Sequence, residues 1–153
     1  AGAVLFCGRN RLDYLVEVSF DSFISMEIDM ESLRQIETRG ILVTCQAPSA
    51  DSGNSEKKAK SVPAAATTGG ADFLSRCFFP RVGVDEDPVT GSAHCALGPH
   101  WAAKLGEDCQ SVTGYQWSER GGIVKIQIGS GEKSGRVQLQ GKARTGFSGY
   151  FRR

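Results

Sequence analysis

The sequence predicts an α+β domain: a curved, barrel-like antiparallel sheet wrapped around one central helix. Three observations carry this reading. Between Gly91 and Leu105 runs Ala93, Cys95, Ala96, Leu97, Trp101 and Ala102, which leaves the segment little polar face and predicts an enclosed helix. After it come four short segments of β character separated by Gly-rich turns. Before it, segments of strand character flank one short amphipathic helix, giving the order β-α-β-loop-β-α-β-β-β-β, which suits an α+β arrangement with a helix against a sheet.

The elements follow in order. The opening Ala1-Gly2-Ala3-Val4-Leu5 lacks a starting Met and begins inside an apolar strand, which predicts a processed, truncated or excised piece. Tyr14–Val18 is β-branched and aromatic and reads as a strand. Asp29 is placed to cap a helix carrying Met30, Leu33 and Ile36 on one face, with Gly40 as its left-handed stop. Ile41–Cys45 is a fully apolar strand. From about residue 48 to 70 the chain turns to Ser, Ala, Thr, Lys and Gly without a period. It holds too little apolar surface to offset its ordering entropy, which predicts a flexible loop inside a single domain spanning 1–153. Phe73–Phe79 is the next strand. Within the central helix Pro99 cannot donate to the carbonyl of Cys95 and is expected to kink or split it. Segments 112–118, 123–128, 136–140 and 143–150 complete the sheet, and Ile123, Val124, Ile126 and Ile128 and then Val137 and Leu139 largely follow a period of two.

Bulk composition narrows the function. At 153 residues the chain suffices for one domain with a real core, since domains of ~150 residues bury about 70% of their unfolded surface. A net charge of +1 and scattered Lys and Arg give no case for nucleic acid; the Lys57, Lys58 and Lys60 cluster reads as a solvated loop. No apolar run approaches the ~20 residues of a membrane span and no secretory leader is visible, so a cytoplasmic location is expected. Five cysteines without a C-x-x-C pair predict free thiols in a reducing compartment and no metal site. His94 and His100 do not have a standard ligand spacing and read as packing or hinge residues. Trp101 and Trp117 read as core, and Arg120-Gly-Gly122 as a hairpin turn.

One segment points to chemistry. A helix N-terminus offers unpaired N–H groups and about half a positive charge, a ready site for an anion. Here it is entered through Gly91, which admits a ligand close to the backbone, and Ser92, whose hydroxyl adds a donor, with Thr90 placed to cap; all three are candidate substrate-binding residues. Asp87, fixed by Pro88, sits four residues upstream. It is a candidate base, or a group that orients a proton-bearing substrate. The plain alternative is turn chemistry: Asp-Pro and Thr-Gly are common turn pairs, and acidic residues ahead of a helix stabilise it without further purpose.

Phe78-Phe-Pro-Arg-Val-Gly-Val-Asp-Glu-Asp-Pro-Val-Thr-Gly-Ser-Ala-His94, Trp101-Ala-Ala-Lys-Leu-Gly106 and Gln116-Trp-Ser-Glu-Arg-Gly-Gly122, with Arg76 ahead and Arg136–Gly141 behind, closely resemble the C-terminal half of the PhzF-like phenazine-biosynthesis family. The resemblance implies a diaminopimelate-epimerase-like fold, whose two similar lobes each wrap a curved antiparallel sheet around a helix. It implies an active site between the two helix N-termini and cofactor-free, isomerase-type proton movement at carbon of a small carboxylate. Asp87 matches the position of the C-terminal lobe's acid/base group, and Gly91 and Ser92 match residues that contact substrate. The family's glutamate acid/base and its partnering histidine belong to an N-terminal lobe with no counterpart here. Three readings follow: one lobe of an isomerase that works with its missing N-terminal lobe, a non-catalytic relative serving as a binding or dimerisation module, or a homodimer bringing two Asp87 carboxylates together.

Overall fold

The computed structural model describes residues 4–48, 62–68, 70–131 and 134–150. Seven strands form one sheet in sequence order: β1 (Val4–Arg9), β2 (Asp13–Val18), β3 (Gly40–Gln46), β4 (Phe73–Phe78), β5 (Ser111–Gln116), β6 (Gly122–Ile128) and β7 (Val137–Gln140). The helices are α1 (Phe20–Ser25), α2 (Met30–Gln35), α3 (Ala64–Thr68) and α4 (Gly91–Leu105), with a 3₁₀ turn at Pro80–Val82. The α+β lobe around a helix is therefore present. The sheet is mixed, however: β2–β3 and β4–β5 are parallel and the other four pairings antiparallel. The reason is connectivity. Both parallel pairs are joined by long helical crossovers, α1 with α2 and then α4, and a crossover returns the chain in the same direction.

Two apolar layers cover the sheet. On one face Leu15, Leu42, Phe73, Cys77, Val112, Val124 and Ile126 pack on Ala93, Leu97, Trp101 and Ala102 of α4. On the other, Ile41, Val43, Leu74, Phe78 and Tyr115 pack with Phe23 of α1 and with Met30 and Leu33 of α2. β3 and β4, buried on both faces, read accordingly as near-continuous apolar runs. Curvature follows from the edges, which both touch the same helix. The Phe6 ring on β1 lies 4.9 Å from that of His100, and Leu139 on β7 packs beside Gly91. Glu17 on β2 adds a polar tie, accepting from Lys104 at 2.5 Å and hydrogen bonding His100 at 2.8 Å.

Because β1 and β7 do not pair, the lobe is open and α4 is less enclosed than its composition predicts: Gly91, Ser92, Cys95 and Pro99 face solvent. That orientation also explains why Pro99 does not split the helix, since the carbonyl it deprives of a donor belongs to the exposed Cys95. Gly98 faces inward, and a Cβ there would lie 2.5 Å from Ile126 Cγ2. Trp101 is core, with Nε1 donating to Thr44 Oγ1 at 2.9 Å. Trp117 packs against the outer layer.

Asp29 caps α2 as expected, accepting from the amides of Glu31 and Ser32. Gly40 is not the stop: α2 ends at Gln35 with Ile36 as its C-cap, and Gly40 opens β3, where a Cβ would lie 2.2 Å from the Phe79 ring and 3.0 Å from Asp13 Oδ1. Close approach, not a left-handed turn, is its role. α1, with Ser19 as N-cap and Phe23 buried, has no counterpart in the sequence expectation. Of the segment expected to be a loop, residues 49–61 and 69 lie outside the described residues, Lys57, Lys58 and Lys60 among them. Its described part forms α3, with Val62 and Ala66 buried in the outer layer. The strand expected at 143–150 is absent: these residues carry no regular structure and are exposed, Tyr150 fully, and among the described residues the outer edge of β7 stays unpaired. The Arg120–Gly122 hairpin turn is found, with Gly121 at φ 67° and its amide donating to Ser118 Oγ.

All five cysteines are free. Burial pushes the Cys77 thiol up to about 12 and raises that of Cys45 as well. No helix among the described residues is long and apolar enough to cross a membrane.

Candidate active site

The chain reaches α4 through an ordered turn. Asp87 N donates to Cys77 O at 2.9 Å, which ties the turn to the end of β4. Glu86, next to it, takes both its oxygens to Arg76, Nε to Oε1 and Nη2 to Oε2, each at 2.8 Å. That bidentate pair fixes the turn from the other face of the sheet and leaves Glu86 no part at the helix end.

Thr90 occupies the N-cap position of α4, but its side chain does not cap the helix. Its hydroxyl donates instead to Asp87 Oδ2 at 2.5 Å. Direction is set from behind by Gln116 on β5, which is fully buried. Gln116 Nε2 donates to Asp87 O at 2.6 Å and to Thr90 Oγ1 at 3.1 Å, while its Oε1 accepts from Thr90 N at 2.7 Å. Since Thr90 Oγ1 accepts from Gln116, its single proton goes to Asp87. Oδ2 is thereby pinned, while Oδ1 meets no hydrogen-bond donor among the described residues, in a side chain that is half-buried. The first intrahelical donor of α4 is His94 N, to Thr90 O, so the amides of Gly91, Ser92 and Ala93 have no intrahelical partner at the positive end of a 15-residue helix.

On the other side of the opening stands Arg39, from the link between α2 and β3. Its Nε and Nη2 hold the two oxygens of Asp13, which is 1% exposed, at 2.8 and 2.5 Å. Nη2 also donates to Ser92 Oγ at 3.2 Å. The hydrogen bond to Asp13 raises the already high pKa of Arg39, so the guanidinium is always charged.

Asp87, Thr90, Gly91 and Ser92 thus meet at one helix mouth. His94 stands behind it, fully buried: Nδ1 donates to Thr90 O at 2.7 Å and Nε2 has no partner. Burial lowers its pKa despite the bond to Thr90, so the ring is neutral. His100 lies further along α4, with Glu17. Among the described residues no cluster of three or more His, Cys, Asp or Glu side chains is arranged to hold a metal ion. Two cavities lie on another part of the surface. One, about 480 Å³, sits on the outer face between Phe23, Arg76, Tyr115 and Trp117; the other, about 380 Å³, adjoins it at Glu86, Pro88 and Ser118. At the mouth itself Gly91 and Ser92 are exposed, Asp87 is half-buried and Thr90 is buried.

Sequence reasoning missed Gln116, Arg39 and Asp13. Gln116 lies 26 residues from Thr90 and Arg39 lies 53 from Ser92, so no local spacing betrays them. A weak signal existed: Asp13 heads an apolar strand, and Gln116 stands between two aromatic residues, Tyr115 and Trp117.

The fold is an open, mixed α+β sheet around a helix whose N-terminus follows an acidic turn. Comparison with known proteins places it. The sequence model of the PhzC-PhzF family, described as phenazine biosynthesis-like protein, matches residues 17–149, and the chain belongs to that family. It is 42% identical over 142 residues to an uncharacterized isomerase of Halalkalibacterium halodurans, covering 92% of this chain and 44% of that protein. It is 35% identical over 138 residues to an uncharacterized isomerase of Pseudomonas aeruginosa, covering 90% and 43%. The chain therefore spans less than half the length of these relatives. In fold it is similar to a PhzF-family phenazine biosynthesis protein of Enterococcus faecalis, with TM-score 0.64, 24% identity, and coverage of 94% of this chain and 48% of that one.

Proposed function

We propose that this chain supplies one wall of an isomerase site that moves a proton at carbon of a small carboxylate substrate without a cofactor. The observation that carries the reading is the division of the α4 mouth: a carboxylate with one free oxygen on one side, and free amides with a serine hydroxyl on the other. A substrate carboxylate lies against the Gly91 and Ser92 amides. Asp87 Oδ1 takes a proton from the adjacent carbon, and the electron pair left behind delocalises into the carboxylate, whose charge the amides stabilise. The proton is then returned at another carbon or on the opposite side.

Completing the transfer calls for a second acid/base group. The chain's share of its relatives' length supports an N-terminal lobe as the source, and a second copy of the chain is the alternative. Cytoplasmic location belongs to the same reading. Relatives named as isomerases support the reaction class.

The test is solvent deuterium incorporation into a panel of unsaturated and amino carboxylic acids, with the N-terminal lobe of a relative supplied in trans. Exchange is expected with the pair and is expected to fall by ~10²–10⁴ in Asp87→Asn. Exchange absent throughout the panel would support a binding or dimerisation module instead.

A further inference from the structure

Ser92 is held by an arginine, and that fixes which way its hydroxyl works. A guanidinium has five N–H donors and no acceptor. In the contact from Arg39 Nη2, Ser92 Oγ is therefore the acceptor, and its one proton is turned away from Arg39. No described residue takes that proton, and Ser92 is exposed at the mouth of α4. Arg39 in turn is not free to move. Both oxygens of the buried Asp13 grip it in a planar fork, and its guanidinium lies 5.5 Å from the centroid of the Phe79 ring. Gly40 lets these parts converge, since a Cβ there would strike Phe79 and crowd Asp13.

We propose that Asp13 and Arg39 are positioning residues that act through Ser92, holding its hydroxyl as a donor aimed at a ligand carboxylate. The inference rests on the site reading above and adds residues that reading does not use. The cationic partner polarises Oγ and strengthens the bond its proton makes. Because the arginine is already ordered by Asp13, binding does not have to freeze it. A serine without this anchor would spread its proton over several rotamers, accepting as readily as donating. The device therefore discriminates: it favours an anionic acceptor and disfavours a ligand that presents N–H or O–H at the same place.

The experiment is a double-mutant cycle with benzoate as the probe, titrated into the full chain and followed by the ¹H–¹⁵N shifts of the Gly91 and Ser92 amides. Ser92→Ala and Arg39→Met are each expected to weaken benzoate about three- to tenfold, the worth of one net hydrogen bond. The double variant is expected to match Ser92→Ala within about twofold, because the arginine has nothing left to act through. Millimolar guanidinium ion should restore Arg39→Met and leave the double variant unchanged. A merely structural role for Arg39 predicts the opposite pattern, with losses that multiply and no rescue, and that result overturns the proposal. Arg39→Lys provides a second cycle if Arg39→Met does not fold, since the ammonium keeps a charge for Asp13 but not the planar fork. An affinity within twofold of the parent in both arginine variants also overturns it. Absence of saturable benzoate binding by the unaltered chain is a different failure: it overturns the site reading itself, and this inference with it.

Discussion

Replacing Gln116 with leucine tests whether the turn ahead of α4 is built or incidental. Leucine has nearly the volume of glutamine, so packing changes little while three hydrogen bonds at 2.6, 2.7 and 3.1 Å disappear. A typical intramolecular bond contributes about 1 kcal/mol net, and a buried donor left unpaired costs about 1–3 kcal/mol. Thr90 N is such a donor, in a residue 7% exposed, whereas Asp87 O belongs to a half-buried residue and has a route to water. Gln116→Leu is therefore expected to cost about 2–4 kcal/mol, a large share of the ~5–15 kcal/mol that holds a domain together. In urea, with a slope near 2 kcal/mol/M, the midpoint should drop by about 1–2 M at unchanged slope. A midpoint lowered by less than about 0.3 M would refute the argument, because it would mean that water replaces the glutamine at no cost. The variant should also release Thr90 Oγ1 from its directed role and so loosen Asp87. Exchange activity should fall in Gln116→Leu even where the protein is still folded.

Three further outcomes follow from packing and titration. Gly98→Ala gains about 1 kcal/mol of helix propensity but drives a methyl to 2.5 Å from Ile126 Cγ2. Overpacking costs of about 1–3 kcal/mol make it net destabilising, and a raised melting temperature would contradict the close α4–β6 approach. Burial raises the Glu17 carboxyl, but the bonds from Lys104 and His100 outweigh it, so its folded pKa lies below the ordinary 4.5. Its stabilisation is thus complete above that value and is lost as pH falls through the folded one; Glu17→Gln should lower stability at neutral pH and flatten the urea midpoint's decline below about pH 4.5. Burial lowers the His94 pKa below 6.5, so the unfolded chain takes up a proton that the folded chain refuses. Stability should decline as pH drops below about 6.5, and His94→Gln should remove that part of the acid limb.

What could be read from the sequence divides along a physical line. α4 was legible because its apolar residues are dense, Gly106 ends it, and Gly-Ser opens it. β6 and β7 were legible through a rough period of two, and β5 as a short segment set off by Gly-rich turns. α1 was not, since a six-residue helix with one buried side chain, Phe23, leaves almost no periodic trace. The parallel pairings escaped because a strand's own residues do not reveal the direction of its neighbour. Residues 143–150 have the aromatic content of a strand, but they bury none of it, and composition alone does not pair a segment with a free edge. At the site, the turn from Asp87 to Ser92 was visible as a local pattern. The residues that aim it, Gln116 on β5 and Arg39 before β3, are brought in by sheet register over long separations.

Asp87→Asn separates the two roles that the mouth assigns. Asparagine fills the same space, and Thr90 Oγ1, with its proton directed outward by Gln116, needs an acceptor where Oδ2 was. The Asn carbonyl oxygen meets that need, which turns the amide NH₂ toward the opening. The substitution thus removes a base and adds a donor without disturbing the turn. If Asp87 serves as a proton acceptor beside a bound anion, exchange should collapse while benzoate binds more tightly, since a like charge near the ligand is gone and a donor has replaced it. An increase of about threefold or more in affinity, measured by the same amide titration, is the expected sign. A carboxylate that instead held a proton-bearing substrate predicts weaker binding of that substrate and no gain for benzoate. Weaker benzoate binding with exchange preserved would refute both the base and the orientation of the Thr90 hydroxyl on which it depends.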